Sequence, residues 1–241
     1  MSRSLAGAVV AVVGAGGGIG SPIARQLAAK GARLVLAGPH PTRLAGLGID
    51  GALCHELDVR DPRAGDALAA ATLDRFGRLD GLINAAGIVA FGPLTDTDDS
   101  VIEELVLTKV IGPLWLVKRL IPLLAESRGF VVNVSAVVAE QPMANMAAYS
   151  ATKAGLTAVD RSLTRELRRL GIEVCDARPP HTETGLAQRP LAGTAPTLPT
   201  GLSPDLVAER IIDAIVAGSA EIPSKDFSTD TTAARPDESR R

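Results

Sequence analysis

The chain is poor in aromatic side chains, with one Trp, one Tyr and four Phe in 241 residues. Its single tyrosine, Tyr149, is therefore not routine core filler. Net charge is nearly absent as well, 25 Lys and Arg against 27 Asp and Glu leaving −2. That balance argues against a nucleic-acid or membrane surface as the main partner. Only two cysteines occur. Cys54 and Cys175 both fall in apolar, strand-like runs without metal or redox spacing. We read them as small buried residues, which fits a reducing cytosol and a cytoplasmic protein. Long hydrophobic runs are missing too. The apolar run from Val9 to Val13 breaks at Gly14, too short to span a bilayer and unlike a secretory signal. Residues 224–241 are polar, and a disordered tail is expected there.

What is present is aliphatic. Hydrophobic residues make up 46% of the chain, ample for one substantial core. Short β-branched runs at 8–13, 33–37, 52–55, 81–84, 130–134 and 172–177 predict strands. Helical patterns at 19–30, 62–76, 98–126 and 148–170 separate most of them, and another at 204–217 follows the sixth. Such alternation predicts an α/β fold, a single Rossmann-type doubly wound parallel sheet with helices on both faces. No internal repeat or linker divides the chain, so one domain is expected over 1–223.

The turn after the first strand reads Gly14-Ala15-Gly16-Gly17-Gly18-Ile19-Gly20. Glycines permit positive φ and bring backbone amides close to a pyrophosphate at the positively polarised start of a helix. A tight strand-to-helix connection would use glycines too. Placed after the first strand of an alternating α/β chain, the turn points to dinucleotide binding.

Tyr149 and Lys153 stand four residues apart in a helical segment, on one side and one turn from each other. A nearby cation stabilises phenolate and draws a phenol of ordinary pKa about 10 towards working pH. The pair is thus a candidate proton donor and acceptor for a carbonyl or alcohol.

Gly14-x-x-x-Gly18-Ile19-Gly20, Asn84-Ala85-Ala86-Gly87 and Tyr149-x-x-x-Lys153 occur in the order and spacing of the short-chain dehydrogenase/reductase family, which the chain resembles over about residues 6–186. The resemblance implies a one-domain Rossmann fold that binds NAD(H) or NADP(H) and moves hydride between cofactor and a carbonyl or alcohol. It makes Tyr149 the acid/base and Lys153 the residue that lowers its pKa and holds the nicotinamide ribose. Asp58 and Val59 would contact adenine. Gly14, Gly17, Gly18, Ile19 and Gly20 would surround the phosphates. Asn84, Ala86 and Gly87 would lie on the adenosine side, Pro179 beside the nicotinamide, and Thr184 at the carboxamide. No metal is implied.

Three positions depart from the family's pattern. Its tetrad serine would fall at Ala136, which has no hydroxyl; Ser135 is adjacent, but neighbours on a strand face opposite ways. Its tetrad asparagine would fall at Lys109, within an apolar stripe formed by Ile102, Leu105, Val106, Pro113 and Leu116. A lysine there either snorkels outward or is buried with a partner, and in the second case it replaces the asparagine in the active site. Pro180 stands where glycine is usual and removes an amide. Cofactor choice rests on Gly38-Pro39-His40, which carries no carboxylate to reject a 2′-phosphate. His40 and Arg43 are the nearby cations and favour NADP slightly over NAD.

Substrate choice would lie in a lid at 185–203, whose prolines and few charges fit a neutral or apolar small-molecule carbonyl or alcohol. By the same resemblance the long helices carrying Lys109 and Tyr149 would join copies into a homodimer or homotetramer. The family's C-terminal strand is not expected, which favours the dimer. A catalytically weak or inactive dinucleotide-binding sensor remains the alternative, as does a cofactor-assisted reaction other than ketone reduction.

Overall fold

The computed structural model describes residues 3–227. Seven strands form one sheet: β1 (Val9–Val13), β2 (Arg33–Gly38), β3 (Leu53–Glu56), β4 (Gly81–Asn84), β5 (Phe130–Val134), β6 (Glu173–Ala177) and β7 (Glu221–Ile222). Their order is β3-β2-β1-β4-β5-β6-β7, every pairing parallel. The expected α/β Rossmann-type sheet is what the chain forms. Residues of β1, β4 and β5 are buried at every position, as central strands covered on both faces must be.

The helices are α1 (Gly20–Ala29), α2 (Pro41–Ala45), α3 (Ala64–Phe76), α4 (Asp99–Val106), α5 (Gly112–Ser127), α6 (Ala147–Leu167) and α7 (Pro204–Ala217). Alternate side chains of β1 pack to opposite faces. Val10 and Val12 meet α1 and α7 through Ile23, Leu27, Ile211 and Ile215. Val9, Ala11 and Val13 share the other core with Leu68 of α3, Leu120 of α5 and Leu163 of α6. The helix ends follow local chemistry. Asp98 caps α4 by accepting from the Ser100 amide, and Ser203 caps α7 by accepting from the Leu206 amide.

Four sequence expectations need correction. The helix expected over 98–126 is three pieces: α4, a π-helical segment Leu107–Ile111, and α5. At its lower junction, a Cβ on Gly112 would lie 2.6 Å from the carbonyl oxygen of Val59, so the helix is pressed onto the loop after β3. Cys54 is exposed rather than buried, because β3 is an edge strand whose residues alternate in burial; Cys175 is buried. A seventh strand does exist, two residues long, pairing with β6 at Glu221 and Ile222. Finally, the expected tail does not start at 224: Ser224–Phe227 form a 3-10 turn and Phe227 is fully buried. The remainder, 228–241, lies outside the described residues. Among the described residues no helix is long and apolar enough to cross a membrane.

Candidate active site

The site opens along the carboxyl ends of the strands. Its first half is a cleft of about 370 Å³ whose floor is the glycine turn, with Gly14, Gly16, Gly17, Gly18 and Ile19 all lining it. Each glycine is small for its own reason. Gly14 has φ +80, and a Cβ there would stand 2.6 Å from the amide nitrogen of Ala86. A Cβ on Gly20 would be 2.8 Å from the carbonyl carbon of Gly14, so this residue packs α1 against the turn and does not line the cleft. Gly17 donates its amide to the Gly14 carbonyl at 2.9 Å, closing the turn. Among the described residues no backbone carbonyl accepts from the amides of Gly16, Gly18 or Ile19. Three free donors at the start of a ten-residue helix are a fitting cradle for a dinucleotide pyrophosphate.

Beyond the turn, Asp58, Val59, His40 and Arg43 line the cleft, Asp58 and Val59 being the residues expected at the adenine. The Asp58 carboxylate is engaged by Arg60, at 2.7 Å to one guanidinium nitrogen, and Arg60 also meets Glu104 at 2.5 Å. Hydrogen bonds from Arg60 hold the Asp58 carboxyl below its ordinary range. Arg60 and Glu104 carried no sequence motif, since the pairing spans 44 residues. Ala86, Gly87 and Ile88 line the cleft, whereas Asn84, expected on the adenosine side, is buried beneath it with its amide nitrogen unpartnered.

The second half is a cavity of about 170 Å³ that shares Ile19, Ala85, Gly87, Thr184 and Leu186 with the cleft. Tyr149, Lys153, Lys109, Ala136 and Pro179 line it, with Phe91, Val138 and Met146 supplying apolar walls. The structure therefore brings the expected catalytic pair to one end of a continuous groove. Thr184 links the halves: a Cβ on Gly18 would come within 2.8 Å of the Thr184 Cα.

The electrostatics differ from the sequence expectation. Burial pushes the Tyr149 phenol above its ordinary value, and no neighbouring cation offsets it. The Lys153 ammonium lies 5.7 Å from the ring centroid and donates to the carbonyls of Val134 (2.9 Å) and Ser135 (2.7 Å). Burial and then the charge of Lys109 drive Lys153 well below its usual value. Lys109 does not snorkel. It is 3% exposed, donates to the Ala86 carbonyl at 2.8 Å, and is pushed down to about 8 by burial, its contact with Lys153 acting the other way.

Ser135 lines the cavity, but its hydroxyl donates to Asp176 Oδ1 at 2.7 Å. Asp176 in turn receives Arg178, whose guanidinium also meets Glu140 and Glu221. This buried network was missed from sequence; its only signal was the Asp-x-Arg spacing at the end of β6. Part of the 185–203 segment lines the cavity. Leu186, Ala187 and Leu198 face inward, and the Leu191 amide donates to Val89 at 2.7 Å. Arg189 of the same segment lines the cleft, a cation that sequence reading did not single out. No cluster of three or more metal-binding side chains occurs among the described residues.

Residues 8–193 match the model of the short chain dehydrogenase family. The chain belongs to this family. It is thus an oxidoreductase of the short-chain dehydrogenase/reductase type. An uncharacterised oxidoreductase from Staphylococcus epidermidis is 31% identical over 212 residues, covering 86% of this chain and 89% of the relative. A short-chain dehydrogenase from Streptomyces avermitilis superposes with a TM-score of 0.83 at 28% identity, covering 92% of this chain and 90% of that one. A 3-ketoacyl-(acyl-carrier-protein) reductase from Brucella melitensis, solved with NADH, gives 0.82 at 26% identity over 93% of this chain and all of that one. This short-chain dehydrogenase keeps the Tyr149 and Lys153 side chains at the cavity end while placing a methyl, that of Ala136, on the same wall.

Proposed function

We propose that this short-chain dehydrogenase is an NAD(P)(H)-dependent, cytoplasmic oxidoreductase that interconverts a secondary alcohol and a ketone. The observation that carries the reading is Tyr149 at one end of a groove whose other end is a cradle of free amides. The amides of Gly16, Gly18 and Ile19 would hold the pyrophosphate, Val59 and Asp58 the adenine side, and Thr184 and Pro179 the nicotinamide side. When bound, that dinucleotide supplies or takes the hydride. Tyr149 gives its hydroxyl proton to the substrate oxygen in reduction and receives it in oxidation. Burial favours the neutral phenol, which is the proton-donating form. The apolar walls exclude water and select an uncharged substrate.

Ala136 and Lys109 occupy the tetrad's serine and asparagine positions in this reading, leaving Tyr149 with one hydroxyl fewer beside it. His40 and Arg43 flank this end of the cleft, the stretch Gly38-Pro39-His40 carries no carboxylate and the Asp58 carboxylate there is engaged by Arg60, which together favour NADP over NAD. A homodimer or homotetramer through the long helices belongs to the same reading; Leu114 of α5 is exposed.

A second reading, a dinucleotide-binding sensor with little turnover, is favoured by one observation, the Ser135 hydroxyl committed to Asp176. A panel of ketones and alcohols followed through reduced-nicotinamide absorbance separates the two. Turnover that falls at least about 10²-fold in Tyr149→Phe, with cofactor affinity kept, supports the enzyme. Cofactor binding without turnover on any substrate, unaffected by the mutation, supports the sensor.

A further inference from the structure

The cofactor cleft and the cavity of Tyr149 lie at the carboxyl ends of the strands. On the opposite rim, at the amino end of β2, the structure has another cavity, of about 650 Å³. Arg25 of α1, Arg33 at the start of β2 and Arg75 near the end of α3 line it, with Phe76 and the 47–51 loop that leads into β3. Asp50 is the one carboxylate among the lining residues.

These three arginines differ from their counterparts elsewhere in the chain. Arg60 takes Asp58, Arg63 takes Asp61, Arg78 takes Asp80 and Arg119 takes Asp66. Among the described residues, by contrast, no acceptor receives a hydrogen bond from the side chain of Arg25, Arg33 or Arg75. That holds although Asp50 lines the same cavity and Asp74 precedes Arg75 in the chain. Arg33 and Arg75 lie instead on one aromatic ring, their guanidinium carbons 4.6 and 5.3 Å from the Phe76 centroid. The ring gathers two like charges in one place and leaves their N–H donors without an acceptor. The amides of Ile49, Asp50 and Gly51 likewise find no backbone acceptor among the described residues. Arg75 has a reason of its own to be there, since a cation in the last turn of a helix complements the carbonyl end. Arg25 and Arg33 have none: one is in the middle of α1, the other on a strand.

We propose that this cavity is an anion site, separate from the cofactor cleft, that takes a small molecule carrying a diphosphate. Three guanidiniums against one carboxylate leave an excess of positive charge in one place, in a chain whose overall charge is −2. The guanidinium fork matches a phosphate through two parallel hydrogen bonds, and two forks on one ring suit adjoining phosphates. The free amides of the loop add donors of the kind that cradle phosphate oxygens. Ala28, Ala32, Leu47 and Ile49 supply an apolar wall for the rest of the molecule. The site owes nothing to the oxidoreductase reading and involves no covalent step.

Inorganic pyrophosphate is the probe, added to the full chain and followed by backbone amide NMR at constant ionic strength. The cofactor cleft also offers amides to a diphosphate, so the two sites are told apart residue by residue. In wild type two sets of amides shift and saturate: Gly16, Gly18 and Ile19 in the glycine turn, and Ile49, Asp50 and Gly51 in the loop. In Arg33→Gln/Arg75→Gln the apparent affinity at the loop falls by about 10-fold or more, because two charge-assisted contacts are gone, while the glycine turn keeps its own. Arg33→Lys falls between, since it keeps the charge and loses the fork. Both side chains are exposed, so the variants keep the fold, which the same spectra verify. Loop amides that stay still in wild type overturn the proposal, as do loop amides that move equally with sodium chloride alone. A loop response that the double variant keeps overturns it too. A glycine turn that stays still counts against the dinucleotide reading and leaves this site standing.

Discussion

The hydroxyl of Ser135 donates to Asp176 Oδ1 at 2.7 Å, while the next residue, Ala136, lines the cavity that holds Tyr149. The Ser135 hydroxyl beside this cavity is thus committed to a buried carboxylate. Removing a single donor from such a site typically costs about 10²–10³ in rate. Ala136→Ser should therefore raise kcat by at least about 10-fold on any ketone the enzyme reduces, measured at saturating cofactor. Ser135→Ala should leave kcat within a few-fold but lower stability by about 1–3 kcal/mol in urea melts, since it strands one acceptor of a buried carboxylate. An increase in neither variant, or a collapse of kcat in Ser135→Ala, would show that Ser135 serves the substrate after all.

Gly18→Ala tests the joint between the turn and the lid. The added methyl would stand within 2.8 Å of the Thr184 backbone, too close to be absorbed by a side-chain rotation. Thr184 must retreat, taking Leu186 with it. Cofactor dissociation constants, read by nucleotide fluorescence, should weaken by about 10-fold or more, with about 1–3 kcal/mol lost from the fold. Unchanged affinity would mean that Thr184 does not face the bound nucleotide.

Asp160 is 1% exposed, receives Asn133 Nδ2 at 2.5 Å and leaves its second oxygen unpartnered. Burial raises its carboxyl from 3.8 to about 8. The folded chain then binds a proton that the unfolded chain has released, so stability falls as pH rises from about 4 towards 8. Each unit of such displacement corresponds to about 1.4 kcal/mol. Asp160→Asn should be more stable than wild type by at least that much at pH 8, with the advantage fading towards pH 4. Denaturant midpoints across that range would show it; a pH-independent difference would contradict it.

Arg178 is 4% exposed and joins Asp176, Glu140 and Glu221 at once. Arg178→Met leaves the Asp176 carboxylate buried without its cation, a change that typically costs about 3–5 kcal/mol. Restoring neutrality with Asp176→Asn in the same chain should recover a good part of that loss, which a double-mutant cycle in urea measures. Simple additivity of the two changes would argue against the pair.

The sheet was readable because its central strands are continuous aliphatic runs, and Gly81–Asn84 and Phe130–Val134 fall where the residues alone place them. Two-residue β7 was not readable, since its pairing depends on the neighbouring edge of β6 rather than on its own sequence. In the site, the glycine turn and the Tyr149–Lys153 pair announced themselves by local spacing. What spacing could not give was the direction of each charge. Lys109 falls on an apolar stripe of regular helical period, but the segment is π-helical and the lysine is held inward on the Ala86 carbonyl. Likewise the phenol was expected to be drawn down by its lysine neighbour, but that lysine points to two carbonyls and both groups are buried. Arg60, Glu104 and Asp176 carry no sequence signature because their partners arrive through the fold.

Phe227 gives the last described turn a weight that its length conceals. Its ring is wholly enclosed and belongs to the same core as Ile211, Ile215 and Ile222, beside the short outermost strand. Clipping the chain ahead of Glu221 would strip that plug away and bare the hydrogen-bonding rim of β6, a template on which a second molecule could add its own strand. For anyone shortening this protein, Phe227 is a residue to keep.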